Sequence, residues 1–421
     1  MKAAHKERAL AAAGSIARRV PLDQVQMFAF MASPQVRADP WALYQRLHRS
    51  DPIRPTRFGV WLVASHDAVN TVLRHPATTV DESQASGPIG EGDRTSAFTK
   101  LMDRTLLFTD PPDHTRLRRL VSRSFTPRTV ARLREPIEAM IEQSLAQLRP
   151  EGSADLISQL ALPLPVAVIC ELLGIPEAER ARFLTWARHL APRLDISMFR
   201  DAEIERLGDA AAMELVSFLG ELIDNPGRRL PDGLIAGLVD AEDDDRLDRE
   251  EIIALCGLLL LAGFETTTNL IGNGVHTLLG QPEQLAALRE GSVDPATAVE
   301  ELLRHDGPVQ LTQRVLLDEL DLGGRVIPPR TLVALLIGAA NRDPRVFDDP
   351  DALDLSRDPN PHLAFSSGIH HCLGAALARL EAAIAIPAIV RQLPNLRMAG
   401  KPTWRKTFVL RGLTQLPVRW G

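Results

Sequence analysis

A chain of 421 residues with 45% hydrophobic and 24% charged side chains has enough apolar content for a large buried core, which excludes an intrinsically disordered protein. Its formal net charge of −6 speaks against a general nucleic-acid binder, which is usually basic. The three cysteines, Cys170, Cys256 and Cys372, include no CxxC pair and cannot build a disulfide framework, as expected in a reducing compartment.

In chain order, the opening stretch MKAAHKERALAAAGSIARRV is basic and alanine-rich but has no apolar core long enough for a signal peptide. Residues 1–38 therefore read as an N-terminal arm. Apolar residues at i, i+3 and i+4 predict helices over Ala42–Arg49, Thr115–Phe125, Arg128–Leu148 and Ile157–Leu173. The same spacing predicts helices over Glu203–Leu222, Arg249–Leu279, Ala296–His305 and Leu373–Leu393. Strand signals are short: Gly59–Ala64 (GVWLVA), Gln310–Val315 and Leu332–Ile337. The polar, glycine-rich stretch Asp81–Lys100 predicts a long loop, which in a compact protein is usually functional or mobile. The longest apolar run, Ile252–Phe264, is too short to span a bilayer, so a cytoplasmic protein without a membrane partner is expected. With no internal repeat or long linker, residues 39–421 read as one large, mostly α (α+β) domain with a small β-rich part.

Four stretches carry chemistry. In Phe108–Pro127 (FTDPPDHTRLRRLVSRSFTP), Asp110 and Pro111 read as an N-cap and first-turn pair. His114 and Arg118 then lie i, i+4 on one face, which suits either an anionic ligand or an ordinary basic surface. In Leu261–Thr268 (LAGFETTT), Glu265 and Thr266 interrupt a very apolar helix, where a carboxylate needs a partner or a task. Gly263, one turn earlier, leaves room for a small molecule, while Thr266 could instead bond back to a carbonyl one turn away. In Val299–Val309 (VEELLRHDGPV), Glu301 and Arg304 can pair at i, i+3.

The fourth stretch, HLAFSSGIHHCLGAALARLEAAIAI from His362, surrounds Cys372 with glycines and ends in an apolar helix. Gly368 and Gly374 permit close approach of backbone to a flat ligand, and the helix start stabilises a thiolate. A zinc site needs several ligands at fixed spacing, which the adjacent His370 and His371 do not offer. A lone thiolate ligand to haem and a buried structural cysteine both remain open on these residues alone.

The pattern Phe365-x-x-Gly368-x-His370-x-Cys372-x-Gly374 resembles the haem-binding signature of the cytochrome P-450 family, with Ser366 where many members have glycine. The resemblance extends to Ala262, Gly263, Glu265 and Thr266, to Glu301 and Arg304, and covers Asp39 to Trp420 in the expected order. It implies haem b with Cys372 as the proximal ligand, and propionates held by His114, Arg118, Arg314 and His370. It further implies a proton-delivery pair in Glu265 and Thr266, and a structural lock of Glu301, Arg304 and Arg357. The activity implied is a bacterial-type monooxygenase acting on a hydrophobic small molecule with dioxygen, fed by NAD(P)H through ferredoxin and ferredoxin reductase. A peroxide-driven haem enzyme and a haem sensor or carrier are the rivals. Arg116, Arg119, Arg123 and Arg128 are expected to steer an acidic ferredoxin. Pocket positions are expected in Asp81–Lys100, at Leu259 and Ala262, in Val309–Thr312 and in Gly412–Thr414.

Overall fold

The computed structural model describes residues 33, 37–56, 58–86, 95–122, 125–195, 201–240 and 247–421. The expected N-terminal arm lies almost wholly outside these residues, as do Arg123 and the middle of the Asp81–Lys100 segment.

The organising element is the helix Arg249–Leu279, whose 31 residues make it roughly 45 Å long. It starts in a reciprocal cap: the Asp248 carboxylate accepts from Glu251 N–H, and the Glu251 carboxylate accepts from Asp248 N–H. The helix is longer than the apolar run read from the sequence and could cross a membrane by length and composition, yet most of it is buried inside the protein. Helices Pro163–Leu173, Ala202–Asp224, Pro295–Asp306 and Ala375–Gln392 pack around it. A helix that is apolar on all sides is a core helix.

To one side lies a five-stranded sheet, ordered Ile53–Pro55, Trp61–Val63, Leu332–Leu335, Thr312–Leu316, Thr78–Thr79. Only Trp61–Val63 and Leu332–Leu335 run parallel, with Trp61 opposite Val333. Pairing of Arg314 with Val333 places the arginine near the middle of the sheet. Three smaller sheets close the C-terminal part.

The structure differs from the sequence reading at several elements. The segment Asp81–Lys100 is not all loop: Glu82–Gln84 is a 3-10 turn, and a helix Ala97–Met102 starts under the Ser96 side chain, which accepts from Thr99 N–H. The expected helix Arg128–Leu148 is two helices, Pro127–Arg132 and Arg134–Leu148, with Leu133 N–H bonding three residues back to Val130 O (3.1 Å). The expected helix Ile157–Leu173 breaks before Pro163, which has no N–H to give. Leu162 N–H bonds five residues back to Ile157 O (2.9 Å), making a wider π-type turn there.

A buried polar knot fixes the route to the cysteine loop. Glu301 and Arg304 are 0% and 1% exposed and joined by two bonds of 2.7 Å. Arg304 also donates to the carbonyls of Asn341, Pro350 and Ala352 (2.8–3.1 Å). Arg357, Asn360 and the Asp354 N–H complete Glu301, and Asn341 Oδ1 holds Leu363 N–H at 2.7 Å. Burial pushes the Glu301 carboxyl up, but these donors outweigh it and hold it below the usual carboxylate range.

Candidate active site

Between the knot and the helix Ala375–Gln392 runs the cysteine loop. Cys372 N–H closes it on Phe365 O (2.9 Å) and Ser366 N–H turns back to Leu363 O (2.8 Å). Gly368 has φ +72°, and a Cβ on it would sit 2.4 Å from Leu73 O. Its glycine thus serves a close backbone approach within the protein, not the flat-ligand contact expected from the sequence. Gly374 differs: a Cβ there would meet no atom within 4 Å, so one side of the loop is open.

Cys372 lies two residues before Gly374 and is exposed as a residue, yet the surrounding protein desolvates its thiol and pushes its pKa up. The two observations together describe the wall of a recess. The Gly374 N–H, Arg118 and Arg379 act in the opposite direction and favour the thiolate. Cys170 and Cys256 are sealed in the core, and burial drives both thiols to about 12.

Basic side chains from three elements converge beside this loop. His114 and Arg118 come from the helix Asp113–Ser122, Arg314 from the central sheet, and His370 from the loop itself. The His114 and His370 rings lie 4.4 Å apart. Burial and the neighbouring cations lower the pKa of His114 and bring His370 down to about 3, while burial brings Arg314 to about 10 against the pull of Asp110. Among the described residues Asp110 is the one acid acting on His114 and Arg314, and its oxygens accept from the Thr79 hydroxyl and Val80 N–H. That bonding corrects the expected capping role: the helix begins at Asp113. His114 Nε2 is buried without a partner, and Arg118 makes no hydrogen bond to a described residue. Four basic groups sharing the single carboxylate of Asp110 among the described residues, beside a lone thiol at an opening, fit a ligand with one soft metal and an anionic edge. Haem meets both demands.

On the central helix every residue from Ile252 to Val275 is buried except Ala262, Gly263 and Thr266. Ala262 and Thr266 are i, i+4, so they share this open face. The Thr266 hydroxyl donates to Ala262 O at 2.7 Å. Gly263 does not make room for a small molecule: a Cβ on it would lie 2.9 Å from Ile169 Cγ1, so the glycine lets two helices close on each other. Glu265 is buried on another face, with Arg405 Nε 3.0 Å from Oε1 and Asn269 Nδ2 at 3.3 Å. Desolvation raises its pKa, and these two contacts oppose the rise.

Several expected positions are otherwise engaged. Arg116 is ion-paired with Glu251, and Arg119 and Arg128 are exposed. Gln310 accepts from the Tyr44 hydroxyl (2.8 Å) and donates to Gly307 O (2.7 Å), Leu259 is buried, and Gly412 packs on Asn269. Arg405 and Arg379 were not expected. Arg379 binds Glu300 through two bonds (2.7 and 2.8 Å) and lies over the Phe365 ring at 4.3 Å. Only the fold brings either arginine to the site, so no local pattern could have marked them.

The sequence profile described as Cytochrome P-450 matches residues 60–293 and 296–404. The chain is 40% identical over 397 residues to the monooxygenase PikC of Streptomyces venezuelae, covering 91% of each. It is 35% identical to the 6-deoxyerythronolide B hydroxylase of Saccharopolyspora erythraea, covering 92% of this chain and 98% of the relative. The crystal structure of P-450BioI in complex with hexadec-9Z-enoic acid ligated acyl carrier protein superposes with a TM-score of 0.86 at 36% identity, covering 93% of this chain and 100% of the other. A basic cluster drawn from three elements beside a lone thiol, in a fold and sequence matched almost end to end, makes this chain a member of the cytochrome P-450 family of haem b monooxygenases.

Proposed function

We propose that the protein is a cytoplasmic monooxygenase, built on one domain over residues 39–421, that hydroxylates or epoxidises a hydrophobic small molecule. Its electrons come from NAD(P)H through ferredoxin and ferredoxin reductase. The observation that carries this reading is the convergence of His114, Arg118, Arg314 and His370, poor in acids, around the loop of Cys372. Cys372 would ligate iron, while the four basic groups would hold the propionates. Haem b bound there supplies dioxygen activation, which thiolate donation favours.

The chain's own residues then have defined tasks. Ala262 offers only a methyl group to the opening. Thr266 can turn its hydroxyl from Ala262 O toward the opening and hold a proton at Oγ1. The apolar packing of the central helix on either side excludes water from the proton's path. The hydroxylase named for 6-deoxyerythronolide B and the structure holding a hexadec-9Z-enoic acyl chain support a substrate of extended apolar surface, among lipids, terpenoids, steroids and polyketides. The exposed Arg119 and Arg128 support docking of an acidic ferredoxin, whose first-electron rates should then fall with salt.

The test is reconstitution. Reduced protein with carbon monoxide should show the red-shifted Soret band of a thiolate adduct, and Cys372→Ala should lose it. NADPH should be consumed only with both ferredoxin and reductase present. Retention of the band in Cys372→Ala, or turnover on peroxide alone, would overturn the assignment. A spectral-shift screen of apolar compounds then identifies the substrate.

A further inference from the structure

The C-terminal hairpin pairs Thr403–Trp404 with Leu413–Gln415 and lies against the stripe of the central helix that carries Glu265, Asn269 and His276. At 3.6 residues per turn these three positions fall within about 40° of one another round the helix, whereas Thr266 is turned about 100° from Glu265. Three contacts seat the hairpin. The Trp404 and His276 rings meet edge to face at 5.3 Å. Gly412 passes so close to Asn269 that a Cβ on it would lie 1.9 Å from Oδ1. Arg405, whose backbone N–H is held by Gly412 O at 2.9 Å, reaches Glu265 at 3.0 Å.

Glu265 is 2% exposed, and among the described residues Arg405 is the only charged group acting on it. Its other polar contact, Asn269 Nδ2, falls on the same oxygen, Oε1. Oε2 makes no hydrogen bond to a described residue. The Arg405 Nε–H is not aimed at its partner, so the contact works by charge and not by an aligned hydrogen bond. Such a pair can part without breaking a directional bond. The match to the family's sequence profile ends at Trp404, one residue short of Arg405.

We propose that Arg405 is a positioning residue: it holds Glu265 ionised and turned beneath the hairpin, away from the opening at Thr266, so that movement of the hairpin governs when this carboxyl supplies a proton. The step is a proton transfer alone. Once the pair parts, Glu265 takes a proton from solvent, passes it to a water held at Thr266 Oγ1, and returns to Arg405 as a carboxylate. The role in proton supply rests on the monooxygenase reading, whereas the charge state of Glu265 does not.

Infrared spectroscopy of the carboxyl region reads that charge state directly. Wild type should show Glu265 as carboxylate, and Arg405→Ala should bring up a protonated-carboxyl stretch. The stretch should vanish in Arg405→Ala/Glu265→Gln and be absent in Arg405→Lys. Should the alanine variant not fold, Arg405→Gln keeps the stem and carries the same expectation. Thermal unfolding gives a second readout. Burial raises the Glu265 pKa and Arg405 opposes it, so removing Arg405 raises it further. A carboxyl raised above its unfolded value loses stability as pH rises. The deficit of Arg405→Ala against wild type should therefore be larger above the carboxylate range than within it, and flat in the double variant.

An unchanged infrared spectrum together with a pH-independent deficit overturns the latch. A new carboxyl band with unchanged peroxide release per NADPH keeps the latch and overturns its role in proton supply. Neither of the first two readouts involves haem, so their failure is distinct from loss of the carbon monoxide signature, which would overturn the monooxygenase reading itself.

Discussion

The Thr266 hydroxyl donates to the carbonyl oxygen of Ala262 at 2.7 Å, and both residues lie on the one open face of a helix otherwise buried from Ile252 to Val275. The alcohol is thus parked on its own backbone yet adjoins the only interruption in a dry wall. Positioned proton transfer typically contributes about 10²–10⁴-fold to a rate. Thr266→Ala should still bind substrate and consume NADPH, but release more hydrogen peroxide and form less product. Thr267 is buried and faces elsewhere, so Thr267→Ala should lower stability and leave the peroxide-to-product ratio near wild type. Undiminished coupling in Thr266→Ala would show that protons travel another way.

The Glu301–Arg304 knot makes a stability prediction. Removing one member of a fully buried, multiply bonded pair strands the other charge and typically costs about 3–5 kcal/mol. Arg304→Ala also strands the carbonyls of Asn341, Pro350 and Ala352. Both Glu301→Gln and Arg304→Ala should lower the melting temperature of the protein steeply, or prevent accumulation of folded protein. Arg357→Ala, whose side chain is partly exposed, should do so less. Equal, small effects from all three would show that the knot is not a support for the cysteine loop.

Much of this architecture was legible in the sequence, for identifiable reasons. Helix Arg249–Leu279 announced itself through length and apolar spacing, and its observed bounds match the expected ones. Spacing alone placed Glu301 beside Arg304, because i, i+3 is a local relation on any helix. What failed was non-local. The apparent openness of Gly263 is filled by Ile169, nearly a hundred residues away, and the apparently free Arg116 is taken by Glu251. Arg405 lies 140 positions from Glu265, so nothing in either neighbourhood announced the pair. The six-residue helix Ala97–Met102 was missed because it gives too few turns for periodicity to register.

His305 sits beside this knot and supplies a pH-dependence. Its Nε2 lies 3.1 Å from Asp351 O, and burial followed by Arg342 brings its pKa down to about 4, with Arg304 adding to the fall and Asp306 opposing it. A histidine whose folded pKa lies below its unfolded value, here 6.5, adds stability above that value and loses it as pH falls toward about 4. His305→Gln should therefore flatten part of the acid limb of the stability curve between those two pH values. Superimposable limbs for the two proteins would assign the acid sensitivity to other groups.

The cysteine loop separates what the fold needs from what a ligand needs, through three neighbouring positions. Gly368 has φ +72° and no space, since a Cβ would meet Leu73 O at 2.4 Å. Gly368→Ala should destabilise the protein strongly whether or not haem is present. Ser366 holds φ +62° despite carrying a side chain, a conformation that costs an L-residue roughly 1–2 kcal/mol. Ser366→Gly removes that strain but adds freedom to the unfolded chain, worth about 0.5–1 kcal/mol, so a small net gain in stability is expected. Gly374 has an ordinary φ of −84° and open space around its Cβ position. Gly374→Ala should leave the melting temperature of the haem-free protein near wild type while weakening haem retention, because the added methyl projects toward the open side of the loop. Chemical denaturation of the haem-free proteins and haem transfer to an apo-globin acceptor measure the two properties separately. A Gly374→Ala protein that unfolds early but retains haem normally would reverse the assignment, making this glycine a requirement of the fold and leaving the open side without a ligand to explain it.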